Sequence, residues 1–393
     1  MNAPPTHSIL PPLTPEEQRH SQAVRELIRA QIAEGGGWLS FERYMELALY
    51  APGLGYYSAG STKLGAAGDF VTAPETSELF GRCLARQCAE VLGPGGGEIL
   101  ELGAGTGSLA ATLLTALAEA DRLPERYAIL EVSADLAARQ RERIAALPAE
   151  LAGRVVWLAR LPPSVSGVVL ANEVLDALPV RRFRVGGGSL SELGVGVDAA
   201  GDFTERATGA DGALARACAT ITRELGSALP PGYTSELCLR VEPWIASLAD
   251  GLREGVVLLL DYGLPRRHYY HPQRTAGTLR CHFRHRAHED PYVNVGVQDI
   301  TAWVDFTRVA EAADAAGFAV SGFATQAAFL LACGLEDFVA RAQGARERAR
   351  LAGEARRLVM PEEMGEAFKV MALSRAVDRP LTGFALQDLR HQL

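Results

Sequence analysis

Glu101, Gly103, Gly105 and Gly107 stand in the spacing acid-x-Gly-x-Gly-x-Gly, after the apolar residues Ile99 and Leu100 and before a helix-forming run over residues 108–117. Glycines at alternate positions leave the backbone bare where a strand turns into a helix, so a ligand can approach the main chain closely. That is the pattern of a nucleotide-type cofactor site. A dinucleotide fingerprint requires Gly-x-Gly-x-x-Gly, and the place of its last glycine is taken by Ser108, which disfavours a pyrophosphate. Downstream, Tyr127-Ala128-Ile129-Leu130-Glu131 reads as a second strand ending in an acid. Glu131 has about the spacing of a residue that accepts hydrogen bonds from ribose hydroxyls.

The glycine pattern resembles the loop of the Rossmann-like methyltransferases, with Glu101 as its leading acid. The cofactor implied is S-adenosylmethionine, whose ammonium, carboxylate and sulfonium suit an acid beside exposed amides. In open α/β sheets the ligand lies outside the carboxyl ends of the strands, so the loop after the apolar run at residues 168–171 faces the chemistry. It reads Asn172-Glu173-Val174-Leu175-Asp176-Ala177-Leu178-Pro179. Methyltransferases acting on the amino group of a base or of glutamine usually carry Asn-Pro-Pro-aromatic here, whereas this chain has two acids. A guanidinium is planar, permanently charged and matched to carboxylates, so Glu173 and Asp176 are candidates for orienting an arginine. Asp176 reads equally as a helix cap or as a partner of Arg181 or Arg182. Asn172 and Gly68 join the candidate cofactor contacts, and Asp69 is a candidate to close over the cofactor or a turn residue after Gly68.

The elements that must position these residues follow from pattern. Thr14-Pro15-Glu16-Glu17 is a helix start, and that helix runs to about residue 33 before three glycines. Further helices are expected from Ser40 and over residues 77–92. After the glycine loop, apolar runs at residues 155–158, 168–171 and 256–260 alternate with helical stretches such as residues 133–147, which argues for a doubly wound, mostly parallel sheet in the α/β class. Residues 183–204 read as a hairpin excursion, and residues 320–335 as late edge strands or a closing helix. The expected division is an N-terminal helical lobe over residues 1–94 and a Rossmann-like domain over 95–393, with a substrate-side insertion around 180–250.

Composition bounds the partners. The 393 residues are 48% hydrophobic and 22% charged, with a formal charge of -8, which disfavours general attraction to nucleic acid. No stretch is long and apolar enough to be a signal peptide or a membrane span, so the cytoplasm is the expected location. Six scattered cysteines without C-x-x-C pairs fit reduced thiols. Residues 266–288 are rich in Arg and His and read as a solvated connecting loop. Their Cys281-His282-x-x-His285-x-x-His288 cluster lacks a second ligand pair, so no metal is expected. Lysine occurs only at Lys63 and Lys369, both within or beside motif stretches.

One combination is more specific than the glycine loop. Residues 41–45, Gly55-Tyr56-Tyr57, Gly68-Asp69-Phe70-Val71-Thr72-Ala73-Pro74-Glu75, residues 101–107, residues 172–179, Gly277-Thr278-Leu279-Arg280, Gln298-Asp299-Ile300-Thr301-Ala302-x-Val304-Asp305-Phe306 and Pro361-x-x-Met364-Gly365-x-x-Phe368-Lys369 together resemble the MidA family. That resemblance implies a class I S-adenosylmethionine-dependent methyltransferase with an added lobe. It also implies a protein substrate, since the mitochondrial members methylate arginine on a respiratory complex I subunit. Two other readings stay open: a cofactor-binding assembly factor with little turnover, and a methyltransferase acting on RNA.

Overall fold

The structure, a computed structural model, describes residues 10–59 and 72–393. The chain divides into two compact units, one formed by residues 72–177, 239–271 and 303–393, the other by residues 1–71, 178–238 and 272–302.

The first unit is built on a long sheet. Its strands are β1 (Glu98–Leu102), β2 (Arg126–Leu130), β3 (Val155–Leu158), β4 (Val165–Asn172), β5 (Leu252–Leu264), β6 (Ala319–Thr325) and β7 (Phe368–Arg375). They lie in the order β3-β2-β1-β4-β5-β7-β6, with Val304–Asp305 pairing parallel to the end of β5. Five neighbours run parallel, and β7 is antiparallel to both β5 and β6. The sequence order reverses between β1 and β4, which opens a crevice at their carboxyl ends.

Burial explains the composition of these strands. Val168, Leu170, Val256, Leu258 and Leu260 face one core together with the helices Glu78–Leu92 (α1) and Ser108–Glu119 (α2). The intervening Val169, Ala171, Val257 and Leu259 are buried as well. A sheet covered on both faces has no use for polar alternation, hence the continuous apolar runs. Helices Ala134–Ala145 (α3), Val241–Gly251 (α4) and Phe306–Ala315 (α5) complete the alternation, α4 and α5 packing on each other and on β5. The late segment is both things expected of it, the edge strand β6 followed by a short helix, Gln326–Ala332. No helix among the described residues is long and apolar enough to cross a membrane.

The second unit departs from the expected helical lobe. Helix Pro15–Glu34 begins with the full Thr14–Glu17 capping box, and Ser40 caps helix Phe41–Tyr50. The rest is largely antiparallel sheet. Arg181–Val185 pairs with Leu190–Val197 and Thr234–Leu237, while Leu190–Val197 also pairs with Phe203–Gly209 and, through Val195 and Gly194, with Leu39–Ser40. The division therefore differs from the boundary near residue 94. Helix α1 packs on α2 within the first unit, because its apolar face is Leu79, Phe80, Cys83 and Leu84. The insertion comprises two segments, residues 178–238 and 272–302.

The Arg/His-rich stretch is a correction of a similar kind. Arg280–Phe283 and Arg286–His288 form a hairpin, and Arg280–Phe283 also pairs with Asp299–Thr301. Cys281 and Phe283 are buried, and Arg284 is tied to Glu17 at 2.8 Å, so the segment is an ordered ribbon rather than a loop. No group of three metal-ligating side chains occurs among the described residues.

The Gly277-Thr278 pair has a structural task in this unit. Glu236 is fully buried and accepts the Thr278 N–H at 2.7 Å and its hydroxyl at 3.3 Å, with the Arg182 guanidinium 3.6 Å away. A Cβ at Gly277, where φ is 78°, would collide with the Glu236 carboxylate. Gly277→Ala is accordingly expected to lower stability by about 2–3 kcal/mol in urea unfolding. Gly232→Ala, at φ 86° with open space around the added methyl, should cost only about 1 kcal/mol. Equal losses for the two variants would contradict the collision.

Candidate active site

Three adjacent strands, β1, β4 and β5, deliver acids to one edge of the sheet. Glu101 in β1 is buried, and the Tyr127 hydroxyl donates to it at 2.7 Å. Burial, with Glu131 nearby, pushes its carboxyl up to about 7 despite that hydrogen bond. The chain leaves β1 through Gly103, exposed and at φ 65°, whose N–H donates to the Leu130 carbonyl at 3.1 Å. It enters α2 through Gly107 at φ 82°. Thr106 donates its hydroxyl to the Glu75 carboxylate and Ser108 donates to the Pro74 carbonyl at 3.1 Å, so the helical turn Ala73–Thr76 is fastened onto the glycine loop.

Glu131 follows β2. Its carboxylate accepts the Ser133 N–H at 2.8 Å and the Gln140 amide at 2.9 Å. The same Gln140 amide donates to the Gly105 carbonyl at 2.9 Å, and Gln140 accepts the Trp157 indole N–H at 3.0 Å. Gln140, fully buried in α3, thus ties the glycine loop, the acid after β2 and strand β3 together. Beside Glu131, Val132 is 73% exposed. An apolar surface next to a hydrogen-bonding acid is what a base and its ribose require.

The loop after β4 is close by: Val174 lies 3.6 Å from where a Cβ on Gly103 would sit. Asn172 donates its amide to Glu173 at 3.2 Å, and its own Oδ1 is buried with no hydrogen-bond partner among the described residues. Glu173 adopts φ 53°, in the left-handed region. Asp176 is buried and accepts the Tyr262 hydroxyl, while Arg181 is engaged with Glu192 and with Asp211, the latter at 3.0 Å. No helix follows Asp176 before the strand Arg181–Val185, so it is not a helix cap. Asp261, at the end of β5, accepts the N–H groups of Leu175 at 2.9 Å, Asp176 at 3.2 Å and Tyr262 at 2.9 Å. Burial raises both aspartates, Asp261 further because Asp176 and Glu173 stand beside it.

The structure thus brings Glu101, Gly103, Gly105, Gly107, Glu131, Asn172, Glu173 and Asp176 to the ends of neighbouring strands. Gly68, Asp69 and Lys63 lie outside the described residues. Lys369 is buried across from Asp261 on β7, and it donates to the carbonyls of Glu366 and Ala367. Burial pushes its ammonium down to about 8. Asp261 and Tyr262 were not anticipated, although Leu258-Leu259-Leu260-Asp261 carries the same signal as Glu101 and Glu131, a strand ending in an acid. Gln140 leaves no comparable signal.

A doubly wound sheet with a glycine turn and acids at its carboxyl edge defines a Rossmann-like methyltransferase. Residues 81–324 match the S-adenosyl-L-methionine-dependent methyltransferase family, and the chain belongs to that family, the MidA family. It is 30% identical over 407 aligned residues to the mitochondrial protein arginine methyltransferase NDUFAF7 homolog of Drosophila melanogaster, covering 94% of this chain and 90% of that one. With the corresponding protein of Danio rerio it shares 26% identity over 86% of this chain and 83% of that one. It also resembles a protein from Burkholderia thailandensis solved with S-adenosyl-homocysteine bound, at 43% identity and a TM-score of 0.93, covering 98% of this chain and all of the other. The cofactor is S-adenosylmethionine.

A cation placed near Glu101 favours its anion, so cofactor binding is expected to expel a proton. Affinity for S-adenosyl-homocysteine, which keeps the ammonium, should rise from pH 6 to pH 8 as Glu101 ionises and then level off. Titration calorimetry in buffers of different ionisation enthalpy reads the proton, and Glu101→Gln should abolish its release.

Proposed function

We propose that this enzyme transfers methyl groups to an arginine side chain of a protein, in the cytoplasm. The observation that carries the reading is the acidic loop after β4: Glu173 projects from a left-handed backbone beside the glycine turn, where enzymes that methylate base amines keep proline. The names of the curated relatives support the same acceptor. None of the six cysteines forms a disulfide, which suits a reducing compartment.

In this reading Glu131 accepts the ribose hydroxyls, Val132 packs on the base, and the bare amides of the glycine turn, with Glu101, receive the methionine end. Asn172 lines the passage between cofactor and acceptor. Glu173 binds the guanidinium and draws its charge toward one edge, raising electron density on the nitrogen that attacks. That nitrogen displaces the neutral thioether in line, the methyl carbon passes from sulfur to nitrogen, and the proton lost from the guanidinium goes to a carboxylate or to water. The sulfonium is a good leaving group, so alignment and exclusion of water supply most of the acceleration. The acceptor protein in this proposal is a respiratory complex I subunit or its equivalent, as the family resemblance implies.

The test uses purified enzyme, methyl-labelled S-adenosylmethionine and a lysate from cells lacking the gene. Label is expected in methylarginine after hydrolysis of the protein fraction. Label in RNA, or cofactor binding without any transfer, would overturn the reading. Glu173→Gln keeps the shape and removes the charge, so transfer should fall by roughly two orders of magnitude while cofactor affinity stays nearly constant.

A further inference from the structure

Three consecutive residues at the end of β5 all bind the acidic loop. The Leu260 carbonyl accepts the Glu173 N–H at 2.8 Å. Asp261 holds the N–H groups of Leu175 and Asp176, and the Tyr262 hydroxyl donates to the Asp176 carboxylate. The Tyr262 ring is itself fixed edge-on against Phe368, with centroids 5.2 Å apart. Glu173 occupies a left-handed conformation that is costly for a residue with a Cβ, and such a conformation persists only where the surroundings over-determine it. These bonds are part of those surroundings, with the Asn172 amide that donates to Glu173 at 3.2 Å. They leave Asp261 with both oxygens committed to backbone amides, and Lys369, its cross-strand neighbour, committed to carbonyl groups.

We infer that Asp261 and Tyr262 are positioning residues for methyl transfer: they fasten the loop that follows β4 so that Glu173 is held in its left-handed conformation and Asp176 is fixed in the same loop. This rests on the reading of Glu173 as the acceptor-binding acid. Two features make the pair a device rather than ordinary packing. Asp261 satisfies amides that point inward only because residues 173–176 curl back over the strand end, and a hydrophobic residue of the same size would leave those donors buried and unpaired. Tyr262 donates its hydroxyl to Asp176, a carboxylate that burial otherwise forces toward its protonated form.

The experiment measures three things on the full-length protein bearing Tyr262→Phe or Asp261→Asn: the affinity for S-adenosyl-homocysteine, the kcat and S-adenosylmethionine KM for labelling the deletion-strain lysate, and amide hydrogen exchange over residues 173–177. Each variant is expected to keep cofactor affinity and KM within about twofold, to lose about ten- to thirtyfold in kcat, and to exchange the Leu175 and Asp176 amides at least about tenfold faster. In a Glu173→Gln background, Tyr262→Phe should add little further loss in kcat, since both changes act through one loop. Unchanged exchange, or a loss carried by cofactor affinity, overturns the inference. If Glu173→Gln alone leaves transfer intact while Tyr262→Phe still loosens the loop, the arginine reading fails and the positioning of the loop stands.

Discussion

Negative charge held out of water at the carboxyl edge of a parallel sheet is the constraint on which this structure turns. Transferring a carboxylate into a protein interior costs several kcal/mol even after relaxation, and three adjacent strands bring Glu101, Asp176 and Asp261 there, all buried. The fold answers with donors: a tyrosine hydroxyl for each of Glu101 and Asp176, and backbone amides for Asp261. These do not fully compensate, because all three acids retain a raised affinity for protons. A cofactor that carries positive charge, as S-adenosylmethionine does at its sulfonium, suits a site with this excess of buried acid.

The surrounding architecture follows from that need. Carboxylates can be presented side by side only if their strands are parallel and in register, and β1, β4 and β5 pair over five residues or more. Strands of that kind are buried on both faces, which requires helices on both, and the helices supply Gln140 as a brace between the glycine turn and Glu131. The glycine turn and the acidic loop then come together at Gly103 and Val174.

Much of this was legible in the residue pattern because it is local. The spacing of Gly103, Gly105 and Gly107, the capping box at Thr14 and Glu17, and the apolar runs that became β4 and β5 each report on a few neighbouring residues. What was missed is non-local. A two-residue strand, Leu39–Ser40, has no pattern of its own and exists through pairing with Val195 and Gly194, more than 150 residues away. The hairpin of Cys281 and His288 is disguised by its charges, since its buried face is carried by Cys281 and Phe283 alone. Gln140 became part of the site only when Glu131, Gly105 and Trp157, from three separate elements, converged on one amide. Tyr262 is hidden for a related reason: its hydroxyl matters through Asp176, 86 positions earlier.

The second unit is assembled from three separated stretches of chain, the last of which ends at residue 302. During synthesis its opening helices emerge first, and their apolar residues, among them Val24, Ile28 and Phe41, have their partners Val195, Phe203 and Ile300 still unmade. At ordinary ribosomal speeds the interval from residue 71 to residue 302 lasts roughly 10–50 s, far longer than a helix takes to form. The amino-terminal segment must therefore wait, partly folded and with an uncovered apolar face, until most of the polypeptide exists. A chain released before that point would lack the strands that close the unit, which makes premature termination and chaperone engagement, rather than loss of a single contact, the natural failure mode of this fold.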